Sequence, residues 1–173
     1  MRRLVLLALV LAVTGLTVTA VPSLAAKPER RIPKELRVPE GHRLVLSALG
    51  RGVQIYGCTD GAWALREPAA AILRGDRTVA LHYAGPTWQS VKDGSKVVAS
   101  GARVVVAAPH PERDIPWLRL GTTGTGPGLF GRVDYVQRLE TQGGVAPTGG
   151  CQAGASAAVP YSATYNFWEP TNA

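Results

Sequence analysis

The feature that most constrains this fold is its punctuation: short runs of β-branched and aromatic residues recur along the chain, each stopped within a few positions by glycine. Runs this short rarely sustain the 3.6-residue period of a packed helix, whereas strands of this length are ordinary. Residues 43–48 and 52–56 are the first two. Residues 71–73 return through Gly75-Asp76 to 78–82, 87–90 return through Asp93-Gly94 to 96–99, and that run returns through Ser100-Gly101 to 103–106, giving three hairpins. Asp93-Gly94 is the firmest turn signal, because both central positions of a type I′ turn take positive φ and these residue types tolerate it. Later strands are expected at 117–120, 132–140 and 161–168, with loops at 121–131 and 143–154. The pattern predicts an all-β fold, a single antiparallel β-sandwich or barrel with long loops and at most one short helix. Only 67–74 is ambiguous, since Pro68, three alanines and a stop at Gly75 suit a two-turn helix as well as a strand.

The first twenty-five residues read as an export signal. Arg2 and Arg3 give a positive start, residues 4–11 an apolar run, and Ser23, Leu24 and Ala25 a small-x-small cleavage pattern. Val5 stands where a twin-arginine signal usually carries Phe, so the ordinary secretory route is expected. Thr14, Gly15, Thr17, Thr19 and Pro22 interrupt the apolar run before it reaches the about 20 residues of a membrane span, so no transmembrane segment is expected in the mature protein. The mature chain is expected to be secreted and extracellular. In that oxidising compartment an even count of two cysteines, Cys58 and Cys151, favours a disulfide between them over free buried thiols. Neither has the CxxC or Cys/His spacing of a metal or redox site.

Without Arg2 and Arg3 the formal charge falls from +7 to +5. Much of the excess lies in Lys27, Arg30, Arg31, Lys34 and Arg37, so residues 26–38 read as a basic, Pro-containing linker, either a solvated tether or a contact for an anionic surface. A nucleic-acid partner is not expected, because the chain has neither a basic helix nor a stacking repeat. Residues 39–170 then form one β-rich domain with enough chain to bury a core.

Several strings taken together resemble one family. They are residues 52–56 with Cys58 and Trp63, then 82–88 with 93–98, 115–118, 128–130, 135–138 with Thr141, Gly143-Gly144, Ala146-Pro147, Cys151 and 159–161. In this order they are similar to the bacterial and fungal family catalogued as domain of unknown function 3455, over about residues 39–168. The resemblance implies a secreted single domain without an assigned activity. Members often carry an acidic residue after the second cysteine, where this chain has Gln152, which weakens that position as a cation site.

The chemistry-bearing residues name no reaction. Gly126, Gly128 and Gly131 match GxGxxG spacing but lead into a strand pattern, and position 151, where a ribose-binding acid would stand, is cysteine, so no dinucleotide cofactor is expected. His42, His82 and His110 show no metal-ligand spacing, and neither a cofactor nor a metal is expected. There is no GxSxG elbow. Asp134 and Glu140 share a strand parity about 20 Å apart, too far to act on one bond. His82 reads either as a histidine hydrogen-bonded beside the turn that follows it, or as half of an acid–base pair with Asp93. The tryptophans and tyrosines read either as core or as a platform for a flat ligand. In the last strand Tyr161, Ala163, Tyr165 and Phe167 share one parity and are expected to face inward. The expected role is non-catalytic, either binding of a small molecule or cell-wall polymer or association with the cell surface, with His82, Trp88, Asp93 and Trp117 as candidate ligand-binding residues. The alternative is a hydrolase-like secreted enzyme using His82 with a carboxylate.

Overall fold

A computed structural model describes residues 32–172. The export signal expected over 1–25, and the part of the expected linker before Ile32, lie outside these residues. Among the described residues, eight antiparallel strands close into one barrel. They are β1 (His42–Thr59), β2 (Ala62–Arg74), β3 (Arg77–Tyr83), β4 (Thr87–Ser90), β5 (Lys96–Val106), β6 (Trp117–Thr125), β7 (Tyr135–Gly143) and β8 (Ser156–Pro170). Each pairs with its chain neighbours, and β8 closes on β1. The only helical element among the described residues is a 3₁₀ turn, Lys34–Leu36. No helix among the described residues is long and apolar enough to cross a membrane.

The strand pattern departs from expectation at several places, including β6, which runs on to Thr125 through the expected loop, and β7, which begins at Tyr135 rather than at 132. The runs at 43–48 and 52–56 are one strand, paired continuously through Gly50 and Gly52, where neighbours pack too close for a side chain: a Cβ on Gly50 would strike the Tyr165 ring and one on Gly52 the backbone of Ala69 and Ala70. The two-residue turn with positive φ at both centres is Asp60-Gly61 (51° and 77°), joining β1 to β2. At Asp93-Gly94 only the glycine has positive φ (72°), and the β4–β5 connection is a wider loop. The hairpin expected at Ser100-Gly101 does not form: β5 runs through as one strand, with a bulge between Ala99 and Arg103. Residues 67–74 are strand, since pairing with both β1 and β3 outweighs the helix propensity of the alanines.

Alternation sends two sets of side chains to two cores. Inside the barrel, Leu46, Ile72, Trp88, Val97, Val136 and Phe167 pack together. The β6–β7 connection folds under one end and inserts Phe130 and Val133, both completely buried, with the Phe130 ring 4.7 Å from that of Phe167. Outside the barrel, Leu36 packs with Ala108, Trp117 and Leu139. Residues 32–38, expected as linker, are therefore part of the fold. Gln137 Nε2 donates to the Leu36 carbonyl (2.6 Å) and fixes this segment to β7.

The Cys58–Cys151 disulfide is formed, with Cα atoms 5.7 Å apart. It ties the end of β1 to the β7–β8 loop across a sequence separation of 93. On the chain-entropy model such a loop contributes about 4 to 5 kcal/mol.

Candidate functional site

The register explains the site. His82 on β3 is paired directly with Trp88 on β4, and both point inward. Directly opposed side chains on one face stand within ring-contact distance, and here they stack, with centroids 4.2 Å apart and planes 2° from parallel. On its other side His82 pairs with Ala70, whose small side chain leaves room. Tyr165 meets both rings edge-on.

Next to this stack, the interior away from Phe130 holds a cavity of about 300 Å³, at the lower limit of small-molecule pockets. Its apolar wall is Leu118, Leu120, Pro68 and Ala99 with the stacked rings, and Leu65, Pro86 and Gly101 stand at its exposed edge. Its polar groups are Gln54, Arg138, Arg103, His82 and the Tyr165 edge. Gln54 Nε2 and Trp88 Nε1 are buried donors that complete no hydrogen bond of normal geometry, the Gln54 amide standing beside the Tyr161 hydroxyl closely enough to favour its ionised form. Leaving such a group unsatisfied costs about 1 to 3 kcal/mol.

The site's electrostatics are one-sided. The Arg138 guanidinium donates from Nε and Nη2 to the Pro116 carbonyl (3.3 and 3.0 Å). Neither Arg138 nor Arg103 has a salt-bridge partner among the described residues. No Asp or Glu lines the cavity. Burial lowers the His82 pKa to about 4, against the Thr87 carbonyl and with help from the Arg138 charge, so the ring is neutral at physiological pH. Its Nδ1 lies 2.9 Å from the Thr87 carbonyl, which can only accept, so Nδ1 carries the proton and Nε2 the lone pair. Burial raises the Tyr161 and Tyr165 hydroxyls above the usual phenol value, and each lies 3.1 Å from the other.

The residues singled out from the sequence are thus divided. His82 and Trp88 lie together in the cavity wall. Asp93 does not join them: its Oδ1 accepts from the Ser95 N–H and hydroxyl, and its Oδ2 from the Leu129 N–H, which together lower its pKa to about 2. It holds the 126–131 loop that carries Phe130, and a Cβ on Gly128 would strike this carboxylate. Trp117 faces the opposite side of its strand, into the outer cluster under Leu36. The pairing of His82 with a carboxylate is therefore absent among the described residues. Tyr161, Ala163, Tyr165 and Phe167 do face inward.

Sequence reading missed Gln54 and Arg138. Each sits in a strand, Gln54 between Val53 and Ile55 and Arg138 between Gln137 and Leu139, where a polar residue ordinarily marks the solvent face. The available signal was parity: Gln54 alternates with Leu46 and Ala48, and Arg138 with Val136.

The comparisons with known proteins identify relatives and no activity. No curated protein matches this chain, and no solved structure does. One family does match, over residues 72–169, which run from the inward-facing Ile72 of β2 to the end of β8 and take in His82, Trp88 and Arg138, so the chain belongs to the family described as "Protein of unknown function (DUF3455)".

Proposed function

We propose that this protein binds one small molecule inside its barrel and does no chemistry on it. The observation that carries the reading is the pair of unpartnered donors, Gln54 Nε2 and Trp88 Nε1, both on residues lining the same cavity. An interior selected for stability alone would carry apolar side chains at those positions. A hydrolytic role for His82 would need a carboxylate to orient the ring or raise its basicity, and the cavity wall supplies none. The export signal read from the sequence and the disulfide together support an extracellular setting for the binding.

The test is a ligand-observed NMR screen of small aromatic and aliphatic fragments, run on the wild type and on Ala99→Phe, which fills the cavity from β5. Fragments that compete with one another and are lost in Ala99→Phe support the reading. Absence of hits, or hits equally strong in the filled variant, contradicts it.

A further inference from the structure

Resting on the reading of the barrel interior as a ligand site, we propose that its occupant is a small organic anion, a carboxylate on a flat apolar body. The carboxylate lies toward Arg138 and Gln54, and the apolar body against the Trp88 ring and the leucines of β6.

Charge makes the first selection. The wall holds two guanidinium groups and no carboxylate, and the half-buried Arg138 has only neutral hydrogen-bond partners among the described residues, the Pro116 carbonyl and the Tyr165 hydroxyl. A cation in a partly desolvated wall is costly unless an anion faces it. Such a wall rejects a cationic ligand and attracts a carboxylate, which matches the planar fork of arginine.

The donor inventory makes the second. Gln54 Nε2 and Trp88 Nε1 offer two further N–H groups, both buried and unpartnered. Indole can only donate, so the ligand must present acceptors. A neutral polyol brings an O–H donor with every oxygen, and those protons would find few acceptors in this wall.

Shape makes the third. Leu118, Leu120 and the parallel His82–Trp88 stack form an apolar surface that a bare inorganic anion would leave uncovered. A flat body fills that space and places its charge at the arginine side.

The test is calorimetric titration of the disulfide-intact protein with benzoate and 2-naphthoate, each beside its primary amide, which keeps the shape and removes the charge. The acids should bind about ten-fold or more tightly than the amides, with that preference shrinking at high salt. Arg138→Gln should erase the preference. Because Arg138 also holds the Pro116 carbonyl, Arg103→Gln provides a second variant at an exposed position and should reduce the preference without changing the melting temperature. Acids and amides that bind equally well, with both lost in Ala99→Phe, would overturn the anion while leaving the cavity as a ligand site. Acid binding that persists in Ala99→Phe would overturn both, by placing the ion elsewhere on the surface. No binding by any of the four probes would overturn the anion proposal.

Discussion

The two ends of the barrel interior are built from the same alternation and finished in opposite ways. At one end Phe130, Val133, Val97 and Phe167 are completely buried and purely apolar, and the 126–131 loop closes beneath them. At the other, the same inward parity carries Gln54, His82 and Arg138, and the chain leaves space among them. Close packing of the first end contributes directly to stability. The second retains buried donors without partners and a cation without an anion, features that stability alone would disfavour. The difference separates what holds this fold together from what it is shaped to hold.

The largest expected effects lie at the closed end and at the disulfide. Phe130→Ala should lower unfolding stability by about 3 to 5 kcal/mol, measured by urea denaturation, because it opens a void under Phe167 that the barrel cannot collapse. Joint replacement of Cys58 and Cys151 by alanine should cost about 2 to 5 kcal/mol. Its structural effect should fall at the cavity end, where Cys58 N–H donates to the Ala155 carbonyl and the Tyr56 hydroxyl to the Gly144 carbonyl. Hydrogen exchange of the β7–β8 loop should accelerate while that of Phe130 and Val133 holds; equal acceleration at both ends would dissolve the contrast.

A smaller effect depends on pH. The folded His82 titrates at about 4, and its ordinary value is 6.5. As pH falls below 6.5 the unfolded chain takes up this proton before the folded one, so stability drops by up to about 3 kcal/mol by pH 4 and then levels off. Replacing His82 by Gln should remove this acid-sensitive part, seen as closer urea midpoints at pH 7 and pH 4.5 than in the wild type. His42 behaves in the opposite sense. Burial opposes its protonation, but the Pro39 carbonyl and the Asp134 carboxylate 2.9 Å away outweigh it and raise the pKa. Its stabilisation is present in acid and is lost as pH rises through the folded value. In an NMR titration from alkaline pH downward, His42 should therefore protonate well before His82.

The smallest effect has the reverse sign. Gln54→Met removes an unsatisfied amide from the open end and should leave stability unchanged or raise it by about 1 kcal/mol, whereas a similar volume change at the closed end would cost stability. A loss of more than about 2 kcal/mol in this variant would show that the amide is satisfied, and that the two ends differ less than described.

The fold was largely legible in the sequence because period-two alternation and glycine punctuation are local signals. Where reading failed, non-local pairing decided. The turn at Asp60-Gly61 went unnoticed between two strands that extend further than their apolar runs, and β5 passed through Ser100-Gly101 because β6 pairs on both sides of the bulge. The cavity was half legible. His82 and Trp88 stood out by residue type, and their joint position follows from pairing across the β3–β4 turn. Asp93 and Trp117 stood out equally by type, yet one clamps a loop and the other packs outside the barrel, since closure of the sheet decides which face becomes interior. Gln54 and Arg138 were hidden for the same reason.

The most direct test of the claim that the open end is a ligand site uses the Trp88 indole N–H as its reporter. In ¹H–¹⁵N spectra of the wild type, with Trp88 assigned by loss of its signal in Trp88→Phe, addition of a binding fragment should move the Trp88 indole resonance and leave that of Trp117, in the outer cluster, in place. Displacement of Trp117 with a stationary Trp88 would contradict the account, as would a Trp88 resonance unmoved by every fragment that binds.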